Sequence, residues 1–137
     1  MIPLVVQLVV TLLSLFVVTW RDAARIGMAA LFVFTGVSHF SRLKRDMAAM
    51  IPPPLTGRLW IIYVTGVLEL AGAVGLLVTP LRRLAAWGLI GLLAAMFPAN
   101  VYAAIRGVKL AGRSATPLAY RTPLQIFWIG ALWWSAQ

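Results

Sequence analysis

One charged side chain, Glu69, interrupts an apolar run over residues 59–78 near its centre. At about 20 residues, that run has the length a helix needs to cross the hydrocarbon of a bilayer. An acid in the middle of such a helix costs about 3 kcal/mol on insertion scales, so it is expected to face protein or trapped water, and it marks a candidate site. Composition points the same way: 62% of the 137 residues are hydrophobic and only 11% are charged, which suits a membrane protein better than a soluble domain. The predicted fold class is all-α: a polytopic membrane helix bundle forming a single domain over residues 1–137.

Further spans follow from the apolar runs. Residues 2–20 are apolar apart from Gln7, Thr11, Ser14 and Thr19. They lack a basic leader and an Ala-x-Ala site, so a retained spanning helix is expected and not a cleaved signal. Gln7, Thr11 and Ser14 recur at i, i+4 and i+7, a stripe that should face other helices. The remaining spans are predicted at about 24–40, 84–105 and 122–134. Residues 41–51 place Leu43, Met47, Met50 and Ile51 on one face and Arg42, Lys44 and Arg45 off it, which predicts an amphipathic segment lying in the membrane interface. Pro52, Pro53 and Pro54 stop it. Pro98 should kink the fourth span by freeing the Ala94 carbonyl. Trp133 and Trp134 are expected to anchor the last span at the interface.

The formal charge of +9 comes from twelve Lys and Arg in short clusters between apolar stretches, with no continuous basic face. That pattern fits membrane topology and not nucleic acid. Arg42, Lys44, Arg45, Arg58, Arg106, Lys109, Arg113 and Arg121 fall on one predicted side, and Arg21, Arg25, Arg82 and Arg83 on the other. The bias predicts an inner-membrane protein with its N-terminus and the loops 41–58 and 106–121 in the cytoplasm. The absence of cysteine excludes disulfides, thiol redox chemistry and iron–sulfur ligation by this chain. A single histidine leaves a protein-only zinc or bis-histidine haem site without ligands.

The polar residues within the spans gather towards one end. Thr65, Gly66, Glu69, Gly72 and Ala73 share a helix face whose small residues allow close packing. His39 lies at the cytoplasmic end of the second span, with Thr35 one turn deeper. Asn100 is about 8 Å inside the fourth span, and Gln125 about one turn inside the fifth. These six residues, Glu69, His39, Asn100, Thr35, Thr65 and Gln125, form the candidate ligand-binding or proton-exchanging set. Desolvation is expected to raise the Glu69 carboxyl towards neutrality, so that it can hold or pass a proton while His39 exchanges with the cytoplasm. The competing reading is structural: a protonated Glu69 bonded to Asn100 or to a backbone carbonyl, fixing helix register. Asn100 could equally satisfy the carbonyl freed by Pro98 or meet a ligand, and Gln125 could be helix–helix glue. Thr-Gly-Val occurs at both Thr35 and Thr65, but three matched residues are too few to establish a repeat.

The segments Phe34-Thr35-Gly36-Val37-Ser38-His39-Phe40, Gly66-Val67-Leu68-Glu69-Leu70-Ala71-Gly72 and Met96-Phe97-Pro98-Ala99-Asn100 together resemble the DoxX family of small bacterial membrane proteins. The resemblance implies a four-helix core with an added N-terminal transmembrane helix, and a quinone or similar lipophilic molecule bound around His39, Glu69 and Asn100. It also implies a peripheral or soluble oxidoreductase partner that supplies electrons. On this reading the chain is an accessory subunit, not an enzyme on its own, with no covalent cofactor and with quinone as its bound one; a homo-oligomer would also be compatible. Two other functions fit the residues: a proton-coupled exporter of hydrophobic cations, and a ligand-free membrane scaffold.

Overall fold

The computed structural model describes residues 1–137 as six helices. They are α1 (Ile2–Ser14), α2 (Trp20–Ser38), α3 (Lys44–Ala49), α4 (Leu59–Leu77), α5 (Arg82–Arg106) and α6 (Leu118–Ser135). A 3-10 turn, Thr79–Leu81, leads directly into α5, and a minimal antiparallel hairpin pairs Lys109 with Ser114 and Leu110 with Arg113. The all-α class therefore holds. Two stretches, Leu59–Leu77 and Thr79–Arg106, are long and apolar enough to cross a membrane.

Four predicted segments differ from the observed helices. The first helix stops at Ser14 and not at Trp20, giving a helix of 13 residues. No Gly or Pro announces that stop. The chain turns because Thr19 begins a new helix, its hydroxyl accepting from the Asp22 amide at 3.4 Å and donating to the Asp22 carboxylate at 2.8 Å. The second helix consequently starts at Trp20, four residues before the predicted span, and carries Arg21, Asp22 and Arg25 in its first turns. The last helix begins at Leu118 behind Pro117, so Arg121, expected in a loop, is helical. Only Lys44–Ala49 of the expected interfacial segment is helical. That short helix folds back on α4, where Ala48 and Ile51 bury against Ile62.

The core lies where α2, α4, α5 and α6 meet, around Met28, Leu31, Phe32, Leu76, Leu89, Trp128 and Leu132. In sequence order, α2 packs on α1, α4 and α6, while α5 bridges α4 and α6. α1 joins through its polar stripe. Gln7 is buried and accepts from the Trp128 indole N–H at 3.1 Å, and Thr11 sits over Gly27 so closely that any side chain there would collide with it. The outside is apolar almost throughout, with Phe16, Val64, Val67, Val74, Trp87, Ile105 and Ile126 all exposed.

Candidate functional site

The site is created by the crossing of α2 and α4. These helices run antiparallel and touch at Gly36 and Gly66. A methyl group at Gly66 would lie 2.7 Å from His39 Cβ, and one at Gly36 would lie 3.2 Å from Glu69 Cβ and 2.9 Å from Leu70 Cγ. Both approaches require the absent side chain. The two Thr-Gly-Val segments are thus related across the crossing, each glycine facing the ionisable residue three positions beyond the other. This contact brings His39 and Glu69 together although 30 residues separate them.

His39 is the C-cap of α2 and is buried. Its Nδ1 lies 2.9 Å from the Ile62 carbonyl oxygen and 2.9 Å from Thr65 Oγ1. A carbonyl oxygen can only accept, so Nδ1 must carry the proton. The Thr65 hydroxyl is itself donated back to its own helix, to the Ile61 carbonyl at 2.9 Å, which leaves its oxygen free to accept as well. With Nδ1 committed, Nε2 is the free nitrogen of a neutral imidazole. It faces Glu69 Oε2 at 3.6 Å, beyond hydrogen-bond distance. Glu69 Oε2 is buried and has no hydrogen-bond partner. One proton can therefore reside on either side of this gap, as carboxylic acid and imidazole or as carboxylate and imidazolium.

The opposite wall comes from α5 and α6. Arg121 Nη2 donates to Asn100 Oδ1 at 2.9 Å, and the guanidinium lies 6.0 Å from the centre of the Trp128 ring. Arg121 faces Glu69 closely enough for each charge to act on the other, yet the two do not form an ion pair. Arg121 Nε is buried without an acceptor. Gln125, one turn further along the same face, donates from Nε2 to the Leu93 carbonyl at 2.8 Å, and its Oε1 is also buried and unpaired. Thr35 faces the Glu69 carboxyl while donating its hydroxyl to the Leu31 carbonyl at 3.1 Å.

Of the six residues predicted from sequence, His39, Thr65, Glu69 and Thr35 converge directly. Asn100 reaches the cluster through Arg121. Asn100 binds neither Glu69 nor the carbonyl freed by Pro98; instead it holds Arg121. Gln125 ties α6 to α5. Sequence reading missed Arg121, although it precedes Gln125 by four residues and Trp128 by seven, a spacing that places all three on one helix face. One imidazole and one carboxylate are too few for a protein-only metal site, and nowhere do three such ligands cluster.

The far end of the bundle holds a second arginine, Arg25. Its Nη1 pairs with Asp22 Oδ1 at 2.7 Å and its Nε donates to the Ser135 carbonyl at 3.0 Å, tying α2 to the end of α6.

A family model described as "Domain of unknown function (DUF8561)" matches residues 28–136, and the chain belongs to that family. This finding corrects the DoxX resemblance, whose short segments are shared patterns of apolar and small residues and not membership. No curated protein and no solved structure matches the chain. The matched stretch contains every residue of the site and excludes α1 and the first turns of α2.

Proposed function

We propose that this is a small multi-pass membrane protein of the inner membrane in which His39 and Glu69 share an exchangeable proton and, with Arg121, bind the head group of a lipophilic ligand of the quinone kind. Its role is that of an accessory subunit to a partner that performs the chemistry. The observation that carries this reading is the fixed tautomer of His39: Nδ1 is spent on Ile62 and Thr65, so the free Nε2 points at an unpartnered Glu69 oxygen. The enclosed and unpaired Arg121 Nε supports a ligand that accepts hydrogen bonds, as a carbonyl does.

Two further observations support the membrane setting. Large apolar side chains cover the outer surface of α4 and α5, far more than soluble monomers expose. The site also lies at the end of the bundle that carries the two basic loops, which supports a position near the cytoplasmic face with those loops inside. A guanidinium acting on Glu69 disfavours the alternative of lipophilic-cation export, because a resident cation competes with a cationic substrate.

Glu69 is the only glutamate and His39 the only histidine in the chain, so isotope labels report each site alone. With 13C-glutamate in phosphatidylcholine nanodiscs, the carboxyl band is expected to move when decylubiquinone is added. A band that does not respond to the quinone overturns the proposal.

A further inference from the structure

Resting on that reading of the site, we infer that the head-group position between Glu69 and Arg121 also accepts a carboxylate, that of a lipophilic weak acid, and that this anion enters together with one proton. Arg121 Nε is enclosed and has no acceptor, and its Nη2 spends one hydrogen bond on the neutral Asn100 oxygen. The chain has three acidic residues. Asp22 lies at the far end with Arg25, and Asp46 accepts from the Ala111 amide in the loops. Glu69 is the one acid that faces Arg121, and the two do not touch.

While Glu69 is ionised, the pair is neutral as a whole. Once Glu69 takes a proton, Arg121, half-buried at the start of α6 with its Nε enclosed, is left without a counter-charge, which is costly. A carboxylate arriving from the lipid restores neutrality, and its two oxygens suit the planar fork of a guanidinium whose Nε is still free. A neutral quinone supplies an acceptor but no charge. No bond is made or broken: the ligand binds as RCOO⁻, and one H⁺ from solution settles on the His39–Glu69 pair. The charged or titratable groups facing Glu69 are His39 from the end of α2 and Arg121 from α6; Thr35 adds a hydroxyl, and α5 contributes only the neutral Asn100. Because binding takes up a proton, affinity falls as pH rises, by up to about tenfold per unit.

The test uses the full chain in phosphatidylcholine nanodiscs with decanoate and decylubiquinone as probes. It reads the 13C-Glu69 carboxyl band and the protons absorbed on binding. Decanoate is expected to perturb Glu69 with uptake of about one proton per chain. Arg121→Gln should weaken decanoate by at least about tenfold, the loss of one charge-assisted contact, whereas Arg121→Lys, which keeps the charge and loses the fork, should recover only part of it. Glu69→Gln, read through 15N-His39, should bind decanoate more tightly and without proton uptake, a gain that a misfolded protein cannot mimic. If decylubiquinone perturbs Glu69 and decanoate does not, the site reading stands and the carboxylate inference is overturned. If neither probe moves Glu69, both fall. Decanoate binding without proton uptake, or binding indifferent to Arg121→Gln, also overturns the inference.

Discussion

Arg25 and Arg121 lie at opposite ends of α6, Arg25 reaching it from α2 and Arg121 carried in its first turn, and the bundle treats them in opposite ways. Arg25 is buried with its demands met: a carboxylate at 2.7 Å and a carbonyl at 3.0 Å. Arg121 has one neutral partner, a donor pointing at nothing, and an acid it faces without reaching. Burying a cation is costly in either place. At Arg25 the surroundings answer that cost with bonds that hold α2 to the end of α6, so the residue is part of the architecture. At Arg121 the cost is left partly unanswered, as the proposed binding role requires and a brace does not.

Substitution can break that contrast. The largest effect should come from Arg25→Met, which strands the Ser135 carbonyl and is expected to lower stability by about 2–3 kcal/mol. Arg121→Met, which leaves only the Asn100 amide short of a partner, should change it by about 1 kcal/mol or less. Unfolding both variants by circular dichroism in mixed micelles decides the matter: equal losses, or a greater loss at Arg121, would end the distinction between brace and site.

Next in size is Gly66→Val, whose side chain runs into His39 and should cost about 2 kcal/mol. It should also uncouple the 15N-His39 titration from Glu69. Gly91→Val is its control, since nothing lies within 4 Å of that position. A third variant, Thr65→Val, removes one of the two acceptors at Nδ1, for about 1 kcal/mol. Its sharper readout is the 15N spectrum of His39, where the second tautomer should gain population; an unchanged spectrum would mean that the Ile62 carbonyl alone fixes the ring. The smallest effect is expected at Gln7→Leu, which takes the acceptor from Trp128 at about 0.6 kcal/mol. Should it also shift the Glu69 band, α1 would be tied to the site through Trp128 and Arg121.

Residue patterns revealed much of the site because its makers are rare residues in an apolar background. One Glu, one His and one Asn in long greasy runs can be placed along their helices by counting, and the small residues around Glu69 mark the face that packs. The pairing itself was visible only as two copies of Thr-Gly-Val, a pattern too short to carry meaning until the helices cross. Arg121 stayed hidden because Thr122, Pro123 and the apolar residues after them offer a plausible helix start, while the true start at Pro117 is preceded by a loop of similar composition. The early end of α1 was equally obscure. Leu15, Phe16, Val17 and Val18 continue the hydrophobic run without a break, and what turns the chain is the cap at Thr19, a bond to a residue beyond the run.

The paired glycines at the crossing have one more consequence. Each is a notch that receives the other helix: Leu70 and the Cβ of Glu69 sit against Gly36, and the Cβ of His39 and the Phe40 ring sit against Gly66. Side chains seated in notches hold register, so α2 and α4 meet as a keyed joint. The 3.6 Å between Nε2 and Oε2 is therefore set by where the two helices are keyed, and closing it to bonding length calls for rotation of the two side chains with no slide of the helices.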